Sequence, residues 1–140
     1  MDGLSGAASV IAVVDISAKI ASLCYQYSVA VMGARDDIER VRRKVSDITH
    51  ILEKIKQLLD SRDKTQLSTT QGLFSSLEQC LRELKSLEAK LDTGKTRKIM
   101  SRFGFRALKW PFTSKQVDKI VLNLERYEQT FSLALQVDQT

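Results

Sequence analysis

The sequence predicts an all-α fold: a bundle of about four long helices in a single domain over residues 1–140, with a short extra helix in a basic segment before the last one. Three observations lead there. Apolar residues recur at alternating steps of three and four along several stretches, the period of a helix with one buried face. Proline occurs once and glycine six times, too few breakers for many short strands and tight turns. Leu, Ile, Lys, Glu and Gln, which lose little freedom in a helix, are abundant. A chain of 140 residues has the length of one domain and is long enough to bury a core.

The first helix is expected over residues 5–32, with Gly33 at its end. Apolar and small residues wrap most of its circumference, and Asp15 and Lys19 are its only charges. They stand four apart, acid first, the favourable order for a pair within one helix. A bundle would bury one stripe of Ile11, Val14, Ala18, Ala21 and Tyr25, leaving Val10 and Val13 to find a second partner. The second helix, over 35–61, carries the clearest pattern. Ile38, Val41, Val45, Ile48, Leu52, Ile55 and Leu59 step by 3 and 4 without a break, and charges cover the other faces.

Residues 62–70 are polar and read as a solvated loop. Ser68 and Gln71 form a capping-box pattern that opens a third helix over 70–91. Its stripe is Leu77, Cys80, Leu84, Leu87 and Leu91, and Gly94 is placed to stop it. A second capping box, Thr113 with Gln116, opens the last helix. Val117, Ile120, Leu124, Tyr127, Phe131 and Leu135 form its buried face. The short extra helix is expected near 96–103. Pro111 pushes Trp110 out of helical geometry.

The residue inventory argues against catalysis and against a metal or cofactor. There is one histidine, His50, opposite the apolar stripe of the second helix, and there are two cysteines distant in sequence. That set assembles neither a zinc site nor a nucleophile–base pair. Gly94-Lys95-Thr96 resembles the end of a phosphate-binding loop but follows a helix, and Ala89 stands where the earlier glycine belongs. Two cysteines are too few for a disulfide framework, which suits a reducing cytoplasm. No Lys or Arg precedes the apolar N-terminal run, as a secretory signal would require, and Asp2 excludes the N-terminal myristoylation pattern.

Two features call for more than a fold. The net charge of +5 is concentrated: residues 95–119 hold eight Lys/Arg against one Asp. Within it, Lys95, Arg97, Lys98, Arg102, Arg106 and Lys109 alternate with apolar residues up to Trp110. Such a cluster gains roughly 1 kcal/mol per charge near anionic lipid, and Trp is an interfacial anchor. Anionic phospholipid is the expected partner; nucleic acid is not, because no recognition motif accompanies the charge. The plainer reading is a solvated loop with its aromatic rings tucked into the core. The second feature is the excess apolarity of residues 4–31. Its plain reading is a central buried helix, and its functional reading is a helix that leaves the bundle for a bilayer. Asp15 and Lys19 make it a poor permanent span.

The opening MDGLSGAASVIAVVDISAKIASLCYQY, the RDDIERVR start of the second helix and the LDTGKTRKIM, RALKWPF and NLERYEQTFSLALQVDQT segments resemble the fungal HeLo-like domain. That domain is the N-terminal module of fungal NOD-like (STAND) receptors and related cell-death proteins. It is similar to the HeLo domain of heterokaryon incompatibility and to the four-helix domain of the necroptosis pseudokinase. The resemblance implies a cell-death execution domain, cytoplasmic at rest, that oligomerises with itself and permeabilises the plasma membrane. It assigns insertion to residues 4–14, extending toward Leu23, hence to Leu4, Val10, Ile11, Val13 and Val14 with Asp15 and Lys19 beyond them. It also implies an upstream sensor or amyloid-signalling module as a partner. The competing expectation is a soluble adaptor bundle with no membrane step.

Overall fold

The computed structural model describes residues 6–31, 33–61, 70–92 and 109–139. They form α1 (Gly6–Ala30), α2 (Arg35–Ser61), α3 (Thr70–Leu91) and α4 (Ser114–Gln139), with no strand among the described residues. The all-α bundle expected from periodicity is the fold observed. Residues 109–113 are non-helical, as the Pro111 ring requires. The capping pattern at Ser68 and Gln71, the short helix near 96–103 and the stop at Gly94 lie outside the described residues or side chains.

α1 packs against α2 and α3, while α4 packs against α2 and, less extensively, α3. The helices therefore stand at the corners of a square with α1 and α4 diagonal. Cross-helix bonds give their directions. Ser114 donates to Asp37 at 2.9 Å, Arg40 meets Asp118 at 2.8 Å and Lys44 meets Glu128 at 3.0 Å, so α2 and α4 run parallel. Lys19 meets Glu88 at 2.7 Å, and the Tyr27 hydroxyl reaches the Leu91 carbonyl at 2.7 Å, so α1 and α3 are parallel too.

The stripes of α2 and α3 enter one core as their spacing dictates: Ile38 through Ile55 on α2 and Leu77 through Leu91 on α3 are buried. Leu73 extends the α3 stripe by one turn. On α4, Val117, Leu124, Phe131 and Leu135 are buried, with Ile120 and Tyr127 packed at the margin. Each fully buried aliphatic side chain contributes about 1.5–3 kcal/mol, which exceeds anything the exposed ion pairs can add. His50 is on the surface, its ring nitrogen 2.8 Å from the Ser46 carbonyl.

The last capping box is formed in both directions. Gln116 N–H donates to Thr113 Oγ1 at 3.2 Å, and Thr113 N–H donates to Gln116 Oε1 at 2.8 Å. Two backbone donors that α4 cannot satisfy internally are thus paired. Thr113→Ala is expected to cost about 1 kcal/mol, read as a melting temperature lowered by a few degrees with unchanged helical content.

Cys24 and Cys80 are free thiols in the core, and burial pushes each up to about 12. An unfolded thiol ionises near pH 8.5. Above that pH the unfolded chain loses protons that the folded chain keeps. The thiol contribution is therefore fully present below about pH 8.5 and is lost as pH rises toward 12. Urea titrations at pH 7 and pH 10 should show lower stability at pH 10, with a smaller drop when both cysteines are replaced by alanine.

Candidate functional site

α1 is the element whose composition exceeds what a bundle needs. Its Ala8–Val29 stretch has 22 residues with a mean hydropathy of 1.6, and one third of it is buried in the bundle. At 1.5 Å per residue it is about 33 Å long, enough to cross a hydrocarbon core of about 30 Å. Two heptad stripes are interleaved along it. Val10, Val13, Ser17, Ile20, Cys24 and Tyr27 step by 3 and 4 and face the core, joined by Ile16 and Leu23. Ile11, Asp15, Ala18, Ser22, Tyr25 and Val29 step by 4 and 3 and face outward. Ile11 is 43%, Tyr25 66% and Val29 60% exposed.

This reverses the faces expected from sequence. Ile11, Ala18 and Tyr25 were to be inside and are exposed, Val14 and Ala21 are half-buried, and Val10 and Val13 are fully buried. The reason is that apolar residues wrap α1, so two stripes satisfy the helical period; the outward one carries the charged Asp15, and polar contacts outside α1 hold the other toward the core. The core-facing stripe ends in Tyr27, whose hydroxyl donates to the Leu91 carbonyl at the C-terminus of α3. Lys19, at the edge of that interface, reaches Glu88 at 2.7 Å and Asp92 at 3.8 Å. The expected Asp15–Lys19 pair is thus replaced by a cross-helix one. Asp15 is exposed and lines a shallow cleft with Ile11, Val14 and Lys56.

The basic segment is only partly in view. Leu4 and Lys95, Arg97, Lys98, Arg102 and Arg106 lie outside the described residues, so their grouping is not part of this geometry. Lys109 is exposed. Trp110 is half-buried, with its ring edge-on to Tyr27 at 5.4 Å and to Phe112 at 5.3 Å. Trp110 packs against the core, the placement that the plainer sequence reading gave its ring. α1 thereby holds both flanks of residues 93–108: Lys19 and Tyr27 contact Asp92 and Leu91 on one side, and Tyr27 contacts Trp110 on the other. Tyr27 is the residue of this region that the sequence pattern did not single out. Its signal was there, as the last position of the Val10–Val13–Ser17–Ile20–Cys24 spacing.

Together, fold and candidate site define a helical-bundle domain with one apolar N-terminal helix long enough to span a bilayer. The family model described as "Pigment biosynthesis cluster protein PigL N-terminal" matches residues 1–138. The chain belongs to that family. No curated protein and no solved structure matches it.

Proposed function

We propose that this domain acts on membranes: α1 leaves the bundle, inserts into the plasma membrane from the cytoplasmic side, and self-association of the inserted chains permeabilises the bilayer. The observation that carries the reading is the 22-residue apolar stretch of α1, whose outward face still presents Ile11, Tyr25 and Val29 to solvent. The resemblance to HeLo-like execution domains points the same way, and anionic phospholipid recruited by the basic segment is the natural first contact.

For α1 itself, insertion is an exchange of surroundings and not an unfolding. Lipid tails are as apolar as a core of leucines, so Val10, Val13 and Ile20 lose little by changing partners. The Ser17 hydroxyl is buried without a hydrogen-bond partner among the described residues, a cost of about 1–3 kcal/mol already present before insertion. Lys19 is the larger obstacle, since a charge near the bilayer centre costs at least about 2.5 kcal/mol. On leaving Glu88 and Asp92 it can close on Asp15, four residues earlier on its own helix. The same pair of residues then serves two states: Lys19 bridges to α3 at rest and to Asp15 in lipid.

The test is dye release from vesicles rich in anionic phospholipid, with neutral vesicles as control. Wild type should release dye from anionic vesicles, less at high salt as screening sets in. Ile11→Glu with Val29→Glu should fold normally, because both positions are exposed, and should release dye at least tenfold more slowly per unit protein. Wild type that leaves anionic vesicles intact would instead make the domain a soluble adaptor, its outward α1 stripe docking a partner helix.

A further inference from the structure

We propose that the cleft between α3 and α4 is a binding pocket for a fatty-acid anion, an extended acyl chain ending in a carboxylate. This does not depend on the membrane reading of α1, which lies at the opposite corner from α4. α3 and α4 are the least closely packed neighbours in the bundle, and between them a half-open cleft of about 410 Å³ is left. Small-molecule sites commonly measure about 300–1,000 Å³. Its floor is apolar, made by Leu87, Phe112, Ile120 and Leu124, with the Tyr127 ring alongside.

Shape and charge choose the occupant. The lining runs from Gln79 to Lys90 on α3, about 16 Å along a helix at 1.5 Å per residue, so the cleft is elongated along the helix. It does not continue as an open groove between the two helices. Asn123 donates to Glu83 at 2.9 Å across it, and beyond that bridge the lining turns polar, in an adjoining cleft at Ser76, Arg126 and Thr130 that shares Gln79, Glu83 and Tyr127 with the first. A partner helix needs a continuous groove; an acyl chain needs only a short one. Arg82 and Lys90 stand exposed on the rim, and neither pairs with a carboxylate among the described residues. Glu83, the acidic member of the lining, is already engaged by Asn123. Long cationic side chains can lay their stems along an apolar floor and turn their charged ends to a bound carboxylate.

Trp110, the one tryptophan in the chain, packs edge-on against Phe112 on the cleft floor and reports occupancy by fluorescence. The intact protein is titrated with sodium laurate below its micelle concentration, and in parallel with dodecyl maltoside, which has the same chain and no charge. Saturable one-to-one binding of laurate, at least tenfold tighter than the maltoside, is the expected result. Arg82→Glu with Lys90→Glu, both exposed and confirmed as folded by circular dichroism, should weaken laurate binding at least tenfold. Ser86→Phe, a rim substitution that crowds the cleft without changing its charge, should weaken it as well. The Ile11→Glu, Val29→Glu protein should bind laurate like wild type, which separates this site from any action of α1. Equal affinity for laurate and the maltoside, wild-type affinity in the charge-reversed variant, or a linear and unsaturable signal would each overturn the assignment.

Discussion

Leu52→Asp is expected to abolish the cooperative unfolding transition of this domain. Leu52 lies in the middle of the α2 stripe with no exposed surface, and α2 packs on both α1 and α4. A carboxylate there loses its hydration without gaining a partner, at a cost of several kcal/mol even after its pKa rises to keep it neutral. Domains of this size have about 5–15 kcal/mol in total, so one such change removes much of it. Thermal melting followed by circular dichroism at 222 nm is the measurement. The exposed neighbour Glu53→Ala is the control and should change stability by less than about 0.5 kcal/mol. A Leu52→Asp protein with a wild-type melting curve would contradict the central position of α2.

The second large effect is expected at Tyr27, where three elements meet. Its hydroxyl donates to Leu91 at the end of α3, and its ring packs edge-on against Trp110 ahead of α4. Tyr27→Phe keeps the ring and leaves the Leu91 carbonyl without its donor, a loss of about 1–3 kcal/mol. Tyr27→Ala removes the ring as well and opens a cavity beside Trp110, so about 3–5 kcal/mol is expected. Urea unfolding should rank wild type above Tyr27→Phe above Tyr27→Ala. Trp110 emission should shift to the red only in Tyr27→Ala, where water gains access to the indole. An equal loss in both variants would mean that the hydroxyl alone holds the joint and that the ring packing adds nothing.

The difference between α1 and α2 shows where sequence periodicity carries information. On α2 the positions off the stripe are charged or polar except Ile51 and Leu58, which pack at its margin, so Ile38, Val41, Val45, Ile48, Leu52 and Ile55 have one favoured orientation, and they are all buried. The Thr113–Gln116 box was equally legible, because a cap depends on residues three apart and on nothing distant. On α1 both interleaved stripes satisfy the helical period, and only Asp15 and Ser22 on the outward one weigh against burying it. The observed orientation also brings Tyr27 to Leu91 and Lys19 to Glu88, contacts that span 64 and 69 positions of the chain. Short-range pattern has no access to them.

The same division runs through the candidate sites. That α1 is apolar enough and long enough for a bilayer is a property of composition, readable before any fold is known. The alternation of cations with apolar residues before Trp110 is likewise local. Which α1 residues face water, where Lys19 finds its counter-charge, and the seating of Trp110 against Tyr27 and Phe112 are tertiary results. So is the cleft over Leu87 and Leu124, which exists only because α3 and α4 pack less closely than the other neighbours. Helical period and capping are decided within a few residues of chain. Choice of face, charge partner and cavity is decided by which surfaces the bundle brings together, and that depends on all four helices at once.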